Sequence, residues 1–320
     1  MKKIISISLL LLVVLVTFTA CTGANRVKKK VTPYPVSLLN VTIDRAPLKI
    51  ASLSPSITEI LLSLGYQEKT VGYSSDCKIP SEVKEPVSIG TGLKPDFEKI
   101  GQVAPEIIFT NVPMTKLEMS KLNEIGIKVV VMPTVKSTKE LLDRYVQIIT
   151  IMSGQIEANT NGKSITEEMQ RQLDYIQSKA PETKPTFLYV SALDPIIATG
   201  DTFESSLLSV IGTNLAESKK QYAVTADEVK AMNPDMIFFS SKLDKEHIIE
   251  SDLFKNSNAV KNEKIFAVEQ EQLTVQNIDI AEVLRKIATT VYPDKDFSEP
   301  APASSSQPEK KKWYEFFKKN

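Results

Sequence analysis

Apolar positions along this chain come in short runs separated by stretches with helical spacing. Strand-like runs fall at residues 49–53, 70–73, 87–89, 106–110 and 128–132. Between them, apolar positions three or four apart predict helices at 56–64, 96–103, 115–125 and 137–152. The alternation then begins again. Strands are predicted at 186–190, 196–199, 235–240 and 264–268, and helices at 203–211, 226–232 and 278–291. Strands alternating with helices imply mostly parallel sheets, each covered on both faces. The fold class is therefore α/β.

The two halves are related. Residues 96–110 and 225–239 carry one pattern at a constant offset of 129 residues. Asp96 and Thr225 each stand where a helix needs an N-cap oxygen. Ile100 and Val103, like Val229 and Met232, line one helix face. Pro105 and Pro234 then end the helix, and an apolar run follows that reads as a buried strand. A repeat of this length is domain-sized and far above solenoid periods. It predicts two similar lobes, 48–154 and 181–297, with a cleft between them. The connection, 155–180, places Ile165, Met169, Leu173 and Ile176 at helical spacing. As one helix, 155–179 would span about 37 Å, with Asn161-Gly162 a point of interruption. Such a bridge is stiffer than paired hinge strands and predicts little domain closure.

The ends of the chain fix its location. Residues 1–20 read as a signal peptide, with Lys2 and Lys3 ahead of an apolar run. Cys21 follows Thr19-Ala20 and resembles a bacterial lipobox cysteine, which would be acylated. An uncleaved anchor is the alternative, and both place the protein at the cell membrane on its extracytoplasmic side. Residues 21–47, with Lys28-Lys29-Lys30, Pro33 and Pro35, read as a lipidated tether. The 39 basic and 39 acidic residues balance, and losing residues 1–20 moves the net charge from 0 to −2. No basic surplus supports nucleic-acid binding. With Cys21 lipidated, Cys77 has no partner, so no disulfide is expected. Residues 298–320 read as a flexible tail ending in Trp313, Tyr314, Phe316 and Phe317 among lysines, a composition suited to a membrane interface.

Several segments, taken in order, carry a family resemblance. Residues 50–65 (Ile50-Ala-Ser-Leu-Ser54-Pro-Ser56 through Gly65) resemble the first strand, loop and helix of the substrate-binding proteins of iron-siderophore, haem and cobalamin ABC importers. Val71-Gly-Tyr73 through Asp76-Cys77 and Pro80 is similar to the cobalamin-type branch. The segment 90–100, then Pro105-Glu106, Gly126, Asp194-Pro195, Gly200-Asp201-Thr-Phe203, Gly212-Thr-Asn214 and Asn233-Pro234-Asp235 complete the series. The resemblance covers about 48–293. It implies two Rossmann-like lobes bridged by one long helix. It also implies an ABC permease dimer with its ATPase as partner, and acidic residues, here Glu98 and Asp227, docking on that permease. Taken alone, those two acids also fit the first turn of a helix, where the dipole favours them. Glu228 at the third helical position fits a capping box with Thr225.

Ligands of open α/β sheets bind off the carboxyl ends of the strands. That rule nominates Ser54, Ser56, Tyr73, Thr91 and Asn111 on one wall and Ser191, Asp194, Asp201 and Ser240 on the other. Each also suits a turn or helix cap. No catalytic residue or metal site is expected: the single histidine, His247, lies in a polar stretch without a nucleophile beside it. GxGxxG, P-loop and HExxH motifs are absent from the sequence. The expected function is a monomeric, cofactor-free solute receptor that delivers a cobalamin-like corrinoid or an iron chelate to an ABC importer. A haem or ferric-siderophore receptor is the nearest alternative. A lipoprotein interaction module with a degenerate pocket, or an enzyme on the same scaffold, are alternatives of other classes.

Overall fold

The structure is a computed structural model. It describes residues 32–298, apart from 40, 80–82, 84–86, 271, 272, 274, 275 and 278. The segment expected as a signal peptide, Cys21 and the aromatic tail lie outside the described residues.

The first lobe is built on β3 (Ile50–Ser52), β4 (Thr70–Tyr73), β5 (Ile107–Thr110) and β6 (Lys128–Val131), in the order β4-β3-β5-β6 and parallel throughout. Helices α1 (Pro55–Ser63), α2 (Phe97–Val103) and α3 (Lys116–Glu124) connect these strands. The second sheet contains β7 (Thr186–Ala192), β8 (Ile196–Ile197), β9 (Thr213–Asn214), β10 (Met236–Ser240) and β11 (Ile265–Val268). Its order is β11-β10-β7-β8, with β9 parallel to the start of β7 and β8 antiparallel to its end. Helices α6 (Phe203–Leu208), α7 (Ala226–Met232), α8 (Lys245–Glu250), α9 (Asn258–Lys261) and α10 (Ile280–Val291) belong to this half. The repeat is visible in the geometry. Asp96 caps α2 through Lys99 N, Thr225 caps α7 through Glu228 N, and Ala104 and Asn233 end the two helices in the left-handed conformation.

The segment expected as a strand at 87–89 makes only one bridge, Tyr73 to Ser88. Tyr73 N donates to Val87 O and Ile89 N to Tyr73 O, after which the chain turns at Gly90. Gly90 has φ 85, where a Cβ would meet Lys94 O at 2.3 Å, and its carbonyl still accepts from Ser75 N at 2.8 Å, so the pairing runs on irregularly rather than as a regular strand.

Two helices join the lobes. α4 (Thr138–Glu157) is kinked at Gly154, and a π-helical turn, Ala158–Gly162, leads into α5 (Lys163–Lys179). The bridging segment therefore runs unbroken past Asn161-Gly162, which widens the helix instead of interrupting it. Ile165, Met169, Leu173 and Ile176 are all buried, as their spacing requires.

A tether over 21–47 is too long. Val36 and Ile43 are buried in β1 (Val36–Leu38) and β2 (Val41–Ile43), an antiparallel hairpin. Tyr34 Oη donates to Ile151 O, Gln155 N donates to Pro33 O, and Lys128 Nζ contacts Asp44 at 3.0 Å. The period-two alternation of 36–43 carries this hairpin, and the prolines and lysines beside it mask the signal.

One apolar core runs through both halves. It joins Val36 and Ile43 of the hairpin, Ile57 and Ile60 of α1, Tyr145 and Ile148 of α4, Met169 of α5, Phe187 and Tyr189 of β7, and Leu284 of α10. Two smaller clusters cover the other face of each sheet.

Candidate functional site

The carboxyl end of the first sheet meets that of the second. The segment after β6 makes three contacts across the lobes. Lys136 Nζ lies 3.6 Å from Asp201 Oδ2, Thr138 N donates to Ser206 Oγ at 3.1 Å, and Gln276 Nε2 donates to Val135 O at 3.3 Å. Asp201 follows β8, which runs antiparallel to β7, so the carboxyl-end nomination of Asp201 does not hold and the residue lies back along β7 from Ser191. Gln276 follows β11 and lies beyond the carboxyl end of the second sheet. The switch-point rule of open sheets thus places a binding cleft here. Lys136 and Gln276 lie outside any periodic segment, and sequence reasoning passed over them as it did over Ser206, a polar position within the helix predicted at 203–211.

On the first wall, Ser54 is fully buried at the N-terminus of α1. Its hydroxyl makes no cap bond and pairs with Ser56 Oγ at 3.2 Å, while Ser52 Oγ donates to Ser54 O. Asn111 Nδ2 reaches Thr134 Oγ1 at 3.4 Å, linking the ends of β5 and β6. Thr91 accepts from Lys94 N and closes a turn, so its hydroxyl is engaged locally. Tyr73 departs from expectation. Its side chain is buried and its hydroxyl donates back to Gln67 O at 3.4 Å, towards the start of its own strand. It is a core residue, since alternation along β4 turns its ring inward.

On the second wall, Ser240 is fully buried and donates to Gln270 Oε1 at 2.9 Å. Ser191 is half-buried at the end of β7, and Asp194 is exposed in the β7–β8 turn. Asp201 is the most engaged of the nominated residues. It accepts from Thr199 Oγ1 at 2.7 Å and from Gln221 N at 2.9 Å. These bonds, led by Thr199, and Lys136 hold its carboxyl below the usual aspartate range. The ion pair itself is largely exposed, and such pairs contribute about 0–1 kcal/mol. The contact orients the rim more than it stabilises the fold.

Asp201 and Thr199 also fix an unusual turn. Gln221 and Tyr222 both have positive φ, 56 and 57. Consecutive non-glycine residues there cost about 1–2 kcal/mol each. Gln221 N is held by Asp201 and Tyr222 N by Thr199 Oγ1, so the surrounding bonds impose the conformation. Glu204 lies close by. Its own burial raises its pKa, and its charge adds to the burial that pushes Tyr222 up to about 12. At the other rim, burial raises the pKa of Glu59 on α1, and the Asp279 carboxylate from the opposite half adds to the shift.

Glu98 and Asp227 are exposed at the second position of α2 and α7. Glu98 accepts from Gln102 Nε2 at 3.3 Å. Glu228 is committed elsewhere. It completes a capping box with Thr225 and pairs with Lys219, which with those cap bonds depresses its pKa to about 2. A shallow pocket of about 230 Å³ lined by Val229, Asn233, Asp252 and Ser257 lies where the chain enters β10, at the opposite end of the strand from the cleft. Among the described residues, no group of three or more His, Cys, Asp or Glu side chains could hold a metal ion. No helix of the described residues is long and apolar enough to cross a membrane.

Comparison with known proteins agrees with this architecture. The chain is 28% identical over 315 residues to the uncharacterized ABC transporter substrate-binding lipoprotein YvrC of Bacillus subtilis strain 168, covering 92% of this chain and 99% of that one. It is 28% identical over 224 residues to the vitamin B12-binding protein of Photorhabdus laumondii subsp. laumondii, covering 68% of this chain and 79% of that one. In structure it is similar to the periplasmic heme binding protein HutB of Vibrio cholerae, with TM-score 0.67, 21% identity and coverage of 77% and 99%. A possible iron-binding protein of Staphylococcus epidermidis gives TM-score 0.65 at 24% identity, covering 78% and 100%. At these identities the structural likenesses speak for the fold alone. The family model described as periplasmic binding protein matches residues 50–271, and the chain belongs to that family.

Proposed function

We propose that this protein is a membrane-tethered, extracytoplasmic receptor that captures a cobalamin-like corrinoid or an iron chelate and delivers it to an ABC permease dimer with its ATPase. The observation that carries this reading is the meeting of the carboxyl ends of the two sheets at Gln276–Val135, edged with small polar side chains, with Lys136–Asp201 a further tie between the halves. Such a cleft offers shape and hydrogen bonds, which a solute receptor needs, and no activated nucleophile is required of it. Ser56, Asn111 and Ser191 edge it, Ser54 and Ser240 lie buried behind them, and Asp194, Asp201 and Thr91 lie in surrounding turns. The vitamin B12-binding relative supports a corrinoid. Haem or a ferric siderophore is the second reading, because the wider importer family that the sequence resembles takes both.

Cys21 carries the lipid anchor in this scheme, as the lipoprotein relative supports. The protein works as a monomer without a cofactor. Trp313, Phe316 and Phe317 add an interfacial contact. Glu98 and Asp227 dock on the permease: the two acids are repeat-equivalent and exposed, whereas Glu228 is already paired. Visible-absorption and fluorescence-quenching titrations with cyanocobalamin, haemin and a ferric hydroxamate test the ligand class. Saturable binding of one of the three is expected. No binding of any would overturn the receptor reading in favour of an interaction module.

A further inference from the structure

Arg144 lies on α4 with only 8% of its surface accessible. A buried guanidinium is costly unless a carboxylate and a full set of acceptors offset it. Among the described residues Arg144 forms no ion pair, and its Nε has no hydrogen-bond partner. Burial lowers its pKa, and the Glu140 carboxylate one turn earlier opposes the shift. That carboxylate is engaged elsewhere, accepting from Lys136 N at 2.8 Å. Leu141, Tyr145 and Ile148, the neighbours of Arg144 on the buried face of α4, belong to the apolar core. An apolar side chain would therefore suit the packing, and a charge needs another reason to be there.

That reason is two consecutive carbonyls. Arg144 Nη1 donates to Met132 O at 3.5 Å, and Nη2 donates to Pro133 O at 2.5 Å. Both stand where β6 ends. Met132 N gives the last bond to the neighbouring strand, to Thr110 O at 2.7 Å, and Pro133 has no N–H to continue it. From there the chain leaves the first sheet, and each residue of 134–138 has a partner. Asn111 holds Thr134, Gln276 holds Val135, Asp201 pairs with Lys136, Ser137 Oγ accepts from Glu140 N, and Thr138 N reaches Ser206. Positions 140 and 144 share a helix face, so α4 grips this segment twice, at 136 through Glu140 and at 132–133 through Arg144. The planar fork of an arginine serves two acceptors at once, which a lysine does not.

Resting on the cleft as the receptor's binding site, we infer that Arg144 is a positioning residue. It fixes the exit of β6 so that 134–138 meets the second half in register, and through that segment it governs how long a ligand is held. The test uses the full mature chain and two readouts. The first, hydrogen exchange at the Lys136 and Thr138 amides, needs no ligand. Arg144→Met should speed both about tenfold, the worth of one charge-assisted hydrogen bond, and Arg144→Lys should fall between it and the parent. Ile148→Val, a core change one turn further along α4, should lower the melting temperature and leave both amides protected. Parental exchange in Arg144→Met overturns the inference, and so does an equal rise in Ile148→Val, which would mean general loosening. The second readout is dissociation of whichever of cyanocobalamin, haemin or ferric hydroxamate binds the parent. It should quicken about tenfold in Arg144→Met, and adding Lys136→Ala should contribute less than Lys136→Ala does alone. Unchanged dissociation, or full additivity of the two substitutions, overturns the link to the ligand. If none of the three binds the parent, the receptor reading fails, and amide exchange alone decides whether Arg144 sets the segment.

Discussion

Gly154→Ala should be among the most damaging single substitutions outside the cleft. Gly154 has φ 88 and ψ 173, a region essentially restricted to glycine. A methyl group there would lie 2.6 Å from Pro33 O and 2.8 Å from Pro33 Cβ. The neighbouring Gln155 N donates to that same carbonyl at 3.0 Å. The backbone strain costs about 1–3 kcal/mol. The contact with Pro33 adds about 1–3 kcal/mol of overpacking, or the segment withdraws and gives up a hydrogen bond worth about 1 kcal/mol. The total is about 3–4 kcal/mol, a large part of the 5–15 kcal/mol typical of a folded domain. At about 2–4 °C per kcal/mol for a chain of this size, the melting temperature should fall by about 10 °C. Gly126→Ala isolates the backbone contribution, because Gly126 has φ 81 with no atom near the added methyl. Thermal and urea melts followed by circular dichroism measure both. A Gly154→Ala variant that melts with Gly126→Ala, or within about 2 °C of the parent, would refute the role given to Pro33.

Other expectations follow from the cleft and the bridge. Burial and the facing Asp279 raise the pKa of Glu59 above its ordinary 4.5, so the folded protein holds this proton more tightly than the unfolded chain. That contribution is complete below the ordinary value and lost as pH rises through the folded one. Glu59→Gln should therefore raise the melting temperature at pH 7 and lose that advantage below pH 4.5. A loss of stability at pH 7 would contradict the repulsion. Small-angle scattering of free and ligand-saturated protein should give nearly equal radii of gyration, and a clear contraction would count against a rigid bridge. A peptide of residues 310–320 should bind anionic vesicles with a blue shift of Trp313 emission, and emission at the water-exposed wavelength at low salt would exclude the membrane contact.

The parts of this fold legible in the sequence are those written in periodicity. Val129 and Val130, Ile107 through Phe109, and Met236 through Phe239 are buried strands because their runs are apolar on both faces. The repeat announced α2 and α7 through Asp96 and Thr225, both of which do cap. The hairpin at 36–43 obeys the same rule, yet its prolines and lysines resemble a linker, and only the burial of Val36 and Ile43 separates the two cases. The cleft was less legible. Topology places a ligand at strand ends without saying which side chain turns outward, so Tyr73 was nominated although its hydroxyl folds back to Gln67. Lys136 and Gln276 were invisible because a loop residue's partner 65 or 141 positions away leaves no local pattern. Glu204 and Glu59 owe their altered protonation to burial, which composition does not report.

The shared core bears on how such a receptor releases its ligand. Tyr145 of α4, Met169 of α5, Tyr189 of β7 and Ile60 of α1 pack in one cluster, so swinging one lobe against the other would expose apolar surface at about 25 cal/mol per Å². Opening by even a few hundred Å² would cost several kcal/mol, with no opposing gain inside the protein. Free and loaded forms therefore present nearly the same upper surfaces, and lobe angle is a poor signal of occupancy. The energy for release must then come from outside, through contacts strong enough to strain a stiff frame. Glu98 and Asp227 stand one on each lobe, as far apart in sequence as the repeat allows, so force applied at both acts across the bridge. A partner gripping both would load the frame at the segment 135–138, where Lys136–Asp201, Thr138–Ser206 and Val135–Gln276 are the polar ties nearest the cleft. Weakening those ties, as in Lys136→Ala, should leave docking unchanged while speeding ligand dissociation. Unchanged dissociation in that variant would place the restraint in the apolar core alone.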